Sequence, residues 1–288
     1  MRIALFCLLA SSCLLASNAT AADLGPIEPS ASSPTAEPVS FDGRRFYVRG
    51  DVGLGRISFG GFSQEELEGN GGSFISESIG DPVILGAGLG WRMSPNLRLD
   101  VTGEYRSKVG VKGLDYLDAD LINPNGHLKA NTLYQGDYSA VVGLLNGYWD
   151  IGTWNGFTPY LGAGIGIARN EMSGFTTTSS STFVASGTGT VTTQATSGVA
   201  EDSVRTSLAW ALMAGTSYDL SPNAKLDIGY RYLDLGSGAT AETGLIDCVC
   251  GTVGQPLEAH DMTDHEIRIG IRWEIGDLGY APDHQPLK

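Results

Sequence analysis

Charge is scarce in this chain, and positive charge scarcer. Charged residues make up 17% of the 288, where a soluble chain usually has about a quarter, so something other than water must face part of the molecule. Lys and Arg number 18 against 32 Asp and Glu, a net charge of -14, which argues strongly against nucleic acid as a partner. Cysteine is nearly missing. Cys7 and Cys13 lie in the first 22 residues, which leaves Cys248 and Cys250, too few for the disulfide framework of a small secreted domain. Also missing is an apolar run of the ~20 residues that a transmembrane helix needs. The nearest approach, Ile3 to Ala16, is shorter and leads into Ala19-Thr20-Ala21. It reads as the core of a secretory signal peptide over residues 1–22, with a small-residue processing site.

Residues 23–43 hold Pro26, Pro29, Pro34 and Pro38 among Ser, Ala and Glu, a composition that cannot bury enough apolar area to fold. A disordered leader is expected there. From 44 to 275 the texture is uniform, with no second linker and no shift of composition. One domain is therefore expected, with a tail over 276–288.

Within the domain the main signal is alternation. Leu97, Leu99, Val101, Gly103 and Tyr105 interleave with Arg98, Asp100, Thr102, Glu104 and Arg106. On a strand, successive side chains point to opposite faces, so one face is apolar and the other densely charged. Phe46, Val48, Val52 and Leu54 stand likewise against Tyr47, Arg49 and Asp51, and Val83, Leu85, Ala87, Leu89 and Trp91 against Gly86, Gly88, Gly90 and Arg92. Leu226, Ile228, Tyr230 and Tyr232 oppose Lys225, Asp227 and Arg231; Ile267, Ile269, Ile271 and Trp273 oppose Glu266, Arg268, Arg272 and Glu274. Softer strands are expected over about 134–150, 158–170 and 203–220. In the first, Val141, Val142, Leu144 and Leu145 load both faces and leave the assignment open.

The connections separate a membrane barrel from a soluble sandwich. Met93-Ser-Pro-Asn96, Gly152-Thr-Trp-Asn-Gly156 and Ser221-Pro-Asn223 are tight turns. About 58–81, 110–133, 172–202 and 236–262 are long. Strict alternation of short and long connections is the rhythm of an outer-membrane barrel with short periplasmic turns and long external loops. The expected fold is thus all-β: a single antiparallel eight-stranded transmembrane up-and-down β-barrel with four long external loops. Lipid supplies no hydrogen-bond partners, so such a sheet must close on itself.

The face assignment places Arg49, Arg92, Arg98, Arg106, Arg231, Arg268 and Arg272 inside the barrel with Asp51, Asp100, Glu104, Asp227 and Glu266. Buried ions persist when paired, so these residues are expected to form a charge network that fills the lumen. The glycines at 86, 88, 90, 162, 164 and 166 would leave room for opposing Arg and Tyr side chains. Neither run completes G-x-G-x-x-G, and both lie mid-strand, so neither is a nucleotide loop.

Phe46-Tyr-Val-Arg-Gly-Asp-Val-Gly53, Thr158-Pro-Tyr-Leu-Gly-Ala-Gly-Ile-Gly166, Trp210-Ala-Leu-Met-Ala-Gly215 and His265-Glu-Ile-Arg-Ile-Gly-Ile-Arg272 resemble the eight-stranded outer-membrane barrels of the OmpA membrane-domain and opacity-protein group. Within it they are nearest to the porin-like surface proteins of alpha-proteobacteria. The resemblance covers most of 44–275. It implies outer-membrane location; contact with outer-membrane lipid, lipopolysaccharide, periplasmic chaperones and barrel-assembly machinery; and loops that meet host or surface ligands. The chain departs from the group in running on past Trp273 and Ile275 instead of ending on an aromatic residue.

No catalytic constellation or cofactor is expected. His127, His260, His265 and His284 are scattered. A Ser-His-Asp arrangement could be drawn from His265 with Asp264, without a nucleophile motif. Cys248-Val-Cys250 has one residue between its cysteines where metal sites usually have at least two, so a loop disulfide or free thiols is preferred to a metal site. The expected function is a structural surface protein of the outer membrane. A narrow diffusion channel is the alternative, and a lipid A-modifying enzyme comes third.

Overall fold

A computed structural model describes residues 46–122, 125–240, 243–245 and 256–275. The expected signal peptide (1–22), leader (23–43) and tail (276–288) lie outside the described residues, as do Cys248 and Cys250. In chain order the elements are β1 (Phe46–Ser58), β2 (Phe62–Ser63), α1 (Glu65–Gly69), β3 (Ser73–Ile79), β4 (Val83–Arg92), β5 (Leu97–Ile122) and β6 (Asn125–Asp150). Then come β7 (Phe157–Ala185), β8 (Val191–Ala200), β9 (Ser203–Asp219), β10 (Ala224–Ala239), β11 (Thr243–Leu245) and β12 (Glu258–Ile275).

Eight of these strands close a ring, β1-β4-β5-β6-β7-β9-β10-β12, in which every neighbouring pair is antiparallel. The last strand returns to the first in register from Phe46↔Ile275 to Ser58↔Thr263. No helix among the described residues is long and apolar enough to cross a membrane; strands make the crossing, and closure leaves the ring no open edge.

The wall is inside out. On β5, Val101 is 60% exposed while Arg98 is 1%, and the same contrast runs round the ring through Leu54, Leu89, Ile165, Leu208 and Ile267, all exposed. Phe46, Trp91, Trp149, Phe157, Tyr218 and Trp273 ring the short-turn end of this apolar band, and Tyr105, Trp210, Tyr230 and Tyr232 stand at its far end. Such girdles mark the two membrane–water interfaces. The short turns follow from their residues. Asn155 and Gly156 both adopt positive φ (50° and 83°) between Trp154 and Phe157, the backbone that a two-residue hairpin of matching twist requires. The Ser221 hydroxyl accepts from the N–H groups of Asn223 and Ala224.

On β6 the open assignment resolves: Val142 and Leu144 point inward and are buried, while Val141 and Leu145 are exposed. With Ala168, Ala209 and Ala211 they make one side of the lumen apolar, which is why both faces of this strand read as hydrophobic.

The stretches 110–133 and 172–202, expected as loops, are largely strand. β5 and β6 pair out to Ile122↔Asn125. Beyond Met172 the partner of β7 changes from β9 to β8, with Gly174 at φ 62° at the change, and pairing continues to Val184↔Val191. With β3 against β5 and β11 against β8, these strands form a sheet that continues past the ring. The loop expectation failed because these strands, wetted on both faces toward their tips, lose apolar alternation there. β-Branched Thr and a neighbour already in place suffice to extend the ladder.

Candidate functional site

Among the described residues the lumen is where the fold concentrates ionic side chains, and alternation delivers them. Arg98, Asp100, Glu104 and Arg106 come from β5, Arg49 and Asp51 from β1, Arg92 from β4, Asp227 and Arg231 from β10, and Glu266, Arg268 and Arg272 from β12. All face inward, and each is buried or nearly so.

They form three connected groups. In the first, Arg231 forks onto Glu104 (Nη1 to Oε1, 2.7 Å) and Glu266 (Nε to Oε2, 2.8 Å). Arg268 Nη1 donates to Glu104 Oε1 at 2.9 Å, and Arg106 bonds to Glu266 and to Asp264. In the second, Arg49 bonds to Asp51, to Asp100 at 3.0 Å and to the Tyr148 hydroxyl at 3.0 Å, and Asn146 donates to the other Asp100 oxygen at 2.8 Å. Arg268 joins these two groups through Asp51 at 3.3 Å. The third lies toward the short turns. Arg272 reaches Asp227 (3.2 Å) and Ser217 (3.0 Å), and Arg92 pairs with Glu274. Arg98 grips Asp150 with two nitrogens at 2.9 Å and sits 4.6 Å from the Tyr148 ring centroid. A forked carboxylate and an aromatic face replace the water that this buried guanidinium gives up.

Sequence reasoning missed Asp150 and Asp264 as network members; extending the parity of Glu266 by two residues would have found Asp264, whereas Asp150 lies on the strand whose faces the sequence left open. Tyr47, read from the sequence as facing inward, also joins the network, its hydroxyl donating to Asp100 at 3.2 Å. The glycine expectation has a direct case in Gly90, where a Cβ would overlap the Tyr47 ring. Gly166 differs, since a Cβ there would strike the backbone carbonyl of Gly143 on the neighbouring strand.

Between these groups remains a cavity of about 20 Å³, lined by Arg49, Glu104, Asn146, Tyr148 and Asp227 among others, room for about one water. Farther from the short turns the lumen turns apolar: Tyr138, Met172, Phe175, Leu233, Leu235, Leu257 and Met262 pack together, each buried. Asn170 reaches from β7 to the carbonyls of Leu235 (2.9 Å) and Ser237 (3.0 Å), where β10 leaves the ladder of β9 after Asp234↔Trp210.

The arrangement drawn from His265 and Asp264 does not exist, because adjacent strand residues face opposite ways. Asp264 lies inside against Arg106, whereas His265 faces out, 2.6 Å from the Tyr230 hydroxyl. His260 Nε2 meets Ser63 Oγ at 2.6 Å and Glu258 at 3.5 Å through the same nitrogen, whereas a relay needs the two ring nitrogens to serve different partners. His127 lies between Asp118 and Asp120 near the β5–β6 hairpin end. No group of three or more metal-ligating residues occurs among the described residues.

A family model for the outer membrane protein β-barrel domain matches residues 108–274. The chain belongs to that family. It is an outer-membrane surface protein of the barrel type. A protein of Brucella suis without an assigned function is 30% identical over 280 residues, covering 90% of this chain and 93% of its own. A Rickettsia prowazekii protein named as a candidate adhesin is 23% identical, covering 80% and 87%. The solved outer membrane protein OprG of Pseudomonas aeruginosa is similar in fold at 14% identity, with a TM-score of 0.43 over 80% of this chain and 96% of its own.

Proposed function

We propose that this protein is a closed structural barrel that anchors a folded outer sheet at the cell surface, and that it does not conduct. The observation that carries this reading is the filled lumen. Arg231, Arg268 and Arg106 bridge Glu104, Glu266 and Asp264 across the ring, all buried, and the space left between the ionic groups is about 20 Å³, below what a hydrated ion needs. An apolar plug of Leu233, Leu235, Leu257 and Met262 lies beyond them. Moving an ion through would require opening several charge-assisted hydrogen bonds in a low-dielectric interior and then crossing an apolar layer. The wall meets lipid, and the sheet beyond the outer girdle offers surface to lipopolysaccharide sugars or to ligands outside the cell, in keeping with a relative named as a candidate adhesin.

Planar-bilayer recording on refolded full-length protein tests this. A silent bilayer is expected at insertion levels verified by heat-modifiable mobility. Stable conductance steps of one defined size would overturn the closed-barrel reading in favour of a narrow channel.

A further inference from the structure

The sheet that rises beyond the ring has two unlike margins. At one, β3 carries Glu77, whose carboxylate accepts from the Phe62 N–H. At the other stands β8. One side of β8 is bonded to β7 from Val191 to Val199; on the other, β11 covers only Gly198 to Ala200. Among the described residues the edge from Val191 to Ser197 meets no strand. Natural sheets blunt such an edge with charge, proline or a bulge. Residues 172–200 contain no Asp, Glu, Lys, Arg, His or Pro, and the β7–β8 ladder runs without a register shift. Val191 is 62% exposed, and Thr192, Thr193, Gln194 and Ala195 are exposed beside it.

A row of backbone N–H and C=O groups in strand geometry fits one kind of ligand, another extended strand. Two features select a second copy of this chain. The protein carries -14 overall, so copies repel wherever charged surfaces meet, whereas this edge brings no charge to the contact. β7 also runs on from Arg169, level with Tyr105 through Val141, to Ala185, about 50 Å along the strand at ~3.3 Å per residue, which holds the edge clear of the bilayer. Copies in one membrane would present β8 with the same polarity and mirrored tilt, so that the strands cross. Copies on facing membranes present it with opposite polarity, as antiparallel pairing about a two-fold axis requires.

We propose that Val191–Ser197 is a strand-pairing edge through which copies on facing membranes join antiparallel, centred near Gln194. The proposal shares with the function above only the outward placement of the sheet. Conductance does not bear on it, so either can fail alone.

The test uses the chain with Cys7, Cys13, Cys248 and Cys250 all replaced by Ser, one barrel per nanodisc, free to meet in any orientation. Sedimentation velocity should show concentration-dependent pairs of discs. Gln194→Cys should give a disulfide-linked dimer under mild oxidation, while Ser180→Cys, in the sheet interior on β7, should not. Thr193→Lys combined with Ala195→Lys should weaken pairing at least tenfold with heat-modifiable mobility unchanged. Discs that stay single, pairing that survives both lysines, or paired discs without the Gln194→Cys cross-link would each overturn the proposal.

Discussion

Along β5 the lumen-facing residues are Arg98, Asp100, Glu104 and Arg106 up to the level of Tyr105, then Val111 and Gly113 beyond it; the outward ones pass from Leu99, Val101 and Tyr105 to Lys112 and Tyr116. β10 repeats the change, from Asp227 and Arg231 inside to Leu233 and Leu235, and so does β12, from Arg272, Arg268 and Glu266 to Met262 and Ala259. One continuous strand thus obeys two solvents. Where lipid lies outside, the apolar side chains must face it and the ions are left to satisfy one another within. Where water lies outside, the ordinary order returns and an apolar core forms. The level at which the pattern inverts is the outer membrane interface, and Tyr105, Trp210 and Tyr230 stand there.

The largest expected effect comes from breaking the ionic half. Arg231→Ala leaves Glu104 and Glu266 short of their shared cation and should cost about 3–5 kcal/mol, read as a lower midpoint in denaturant unfolding from lipid vesicles. Substitution to Met, which fills the space without restoring charge, should recover little unless both carboxylates are also removed. In the apolar half Leu235→Ala, at a fully buried site, should cost about 2–5 kcal/mol through a cavity, and replacement by Met should restore most of it. The same Met substitution thus separates the two halves.

A charge placed outside reads the comparison from its other side. Val101→Lys, midway along β5 between Leu97 and Tyr105 and 60% exposed on the apolar band, should cost about 2–4 kcal/mol near the midplane, whereas Leu133→Lys, outward on the wetted sheet at 38% exposure, should stay within about 0.5 kcal/mol. Equal costs would remove the distinction between the two halves. The smallest effect is that of pH on the outer sheet. Burial pushes the Asp115 carboxyl above its ordinary value, against hydrogen bonds from the Tyr134 hydroxyl (2.9 Å) and the Thr132 N–H (2.7 Å). A raised folded-state pKa favours the protonated form, so its contribution is full below the ordinary carboxyl range and is lost as pH rises through the folded value. Amide exchange near Thr132 should therefore slow on acidification relative to the rest of the sheet, and Asp115→Asn should abolish the difference.

The ring was legible because lipid outside and ions inside give the strongest period-two signal a chain can carry. Val101 between Asp100 and Thr102 needs no structure to be read. The partners of the ions were partly legible: Arg98 was seen and Asp150 was not, because pairing crosses strands whose stagger the pattern does not state. The outer half was largely illegible. From Thr176 to Ser181 every residue is Ser or Thr, a pattern with no contrast between faces, and those residues are strand because β6 and β8 flank them. Phe62 packs on Phe74 within the first long connection and Phe74 on Tyr134 of β6, with 5.6–5.8 Å between ring centroids, a contact between distant segments that a local reading treats separately.

The inversion itself can be measured strand by strand. Single cysteines placed at Leu99, Val101, Tyr105, Lys112, Leu114 and Tyr116 in a background with Cys7, Cys13, Cys248 and Cys250 replaced by Ser, in reconstituted vesicles, would be challenged with a membrane-impermeant thiol reagent. Protection at Leu99 and Val101, with labelling at Lys112 and Tyr116 and the boundary just beyond Tyr105, is the predicted result. Labelling at Val101, or protection extending to Lys112 and Tyr116, would contradict the account.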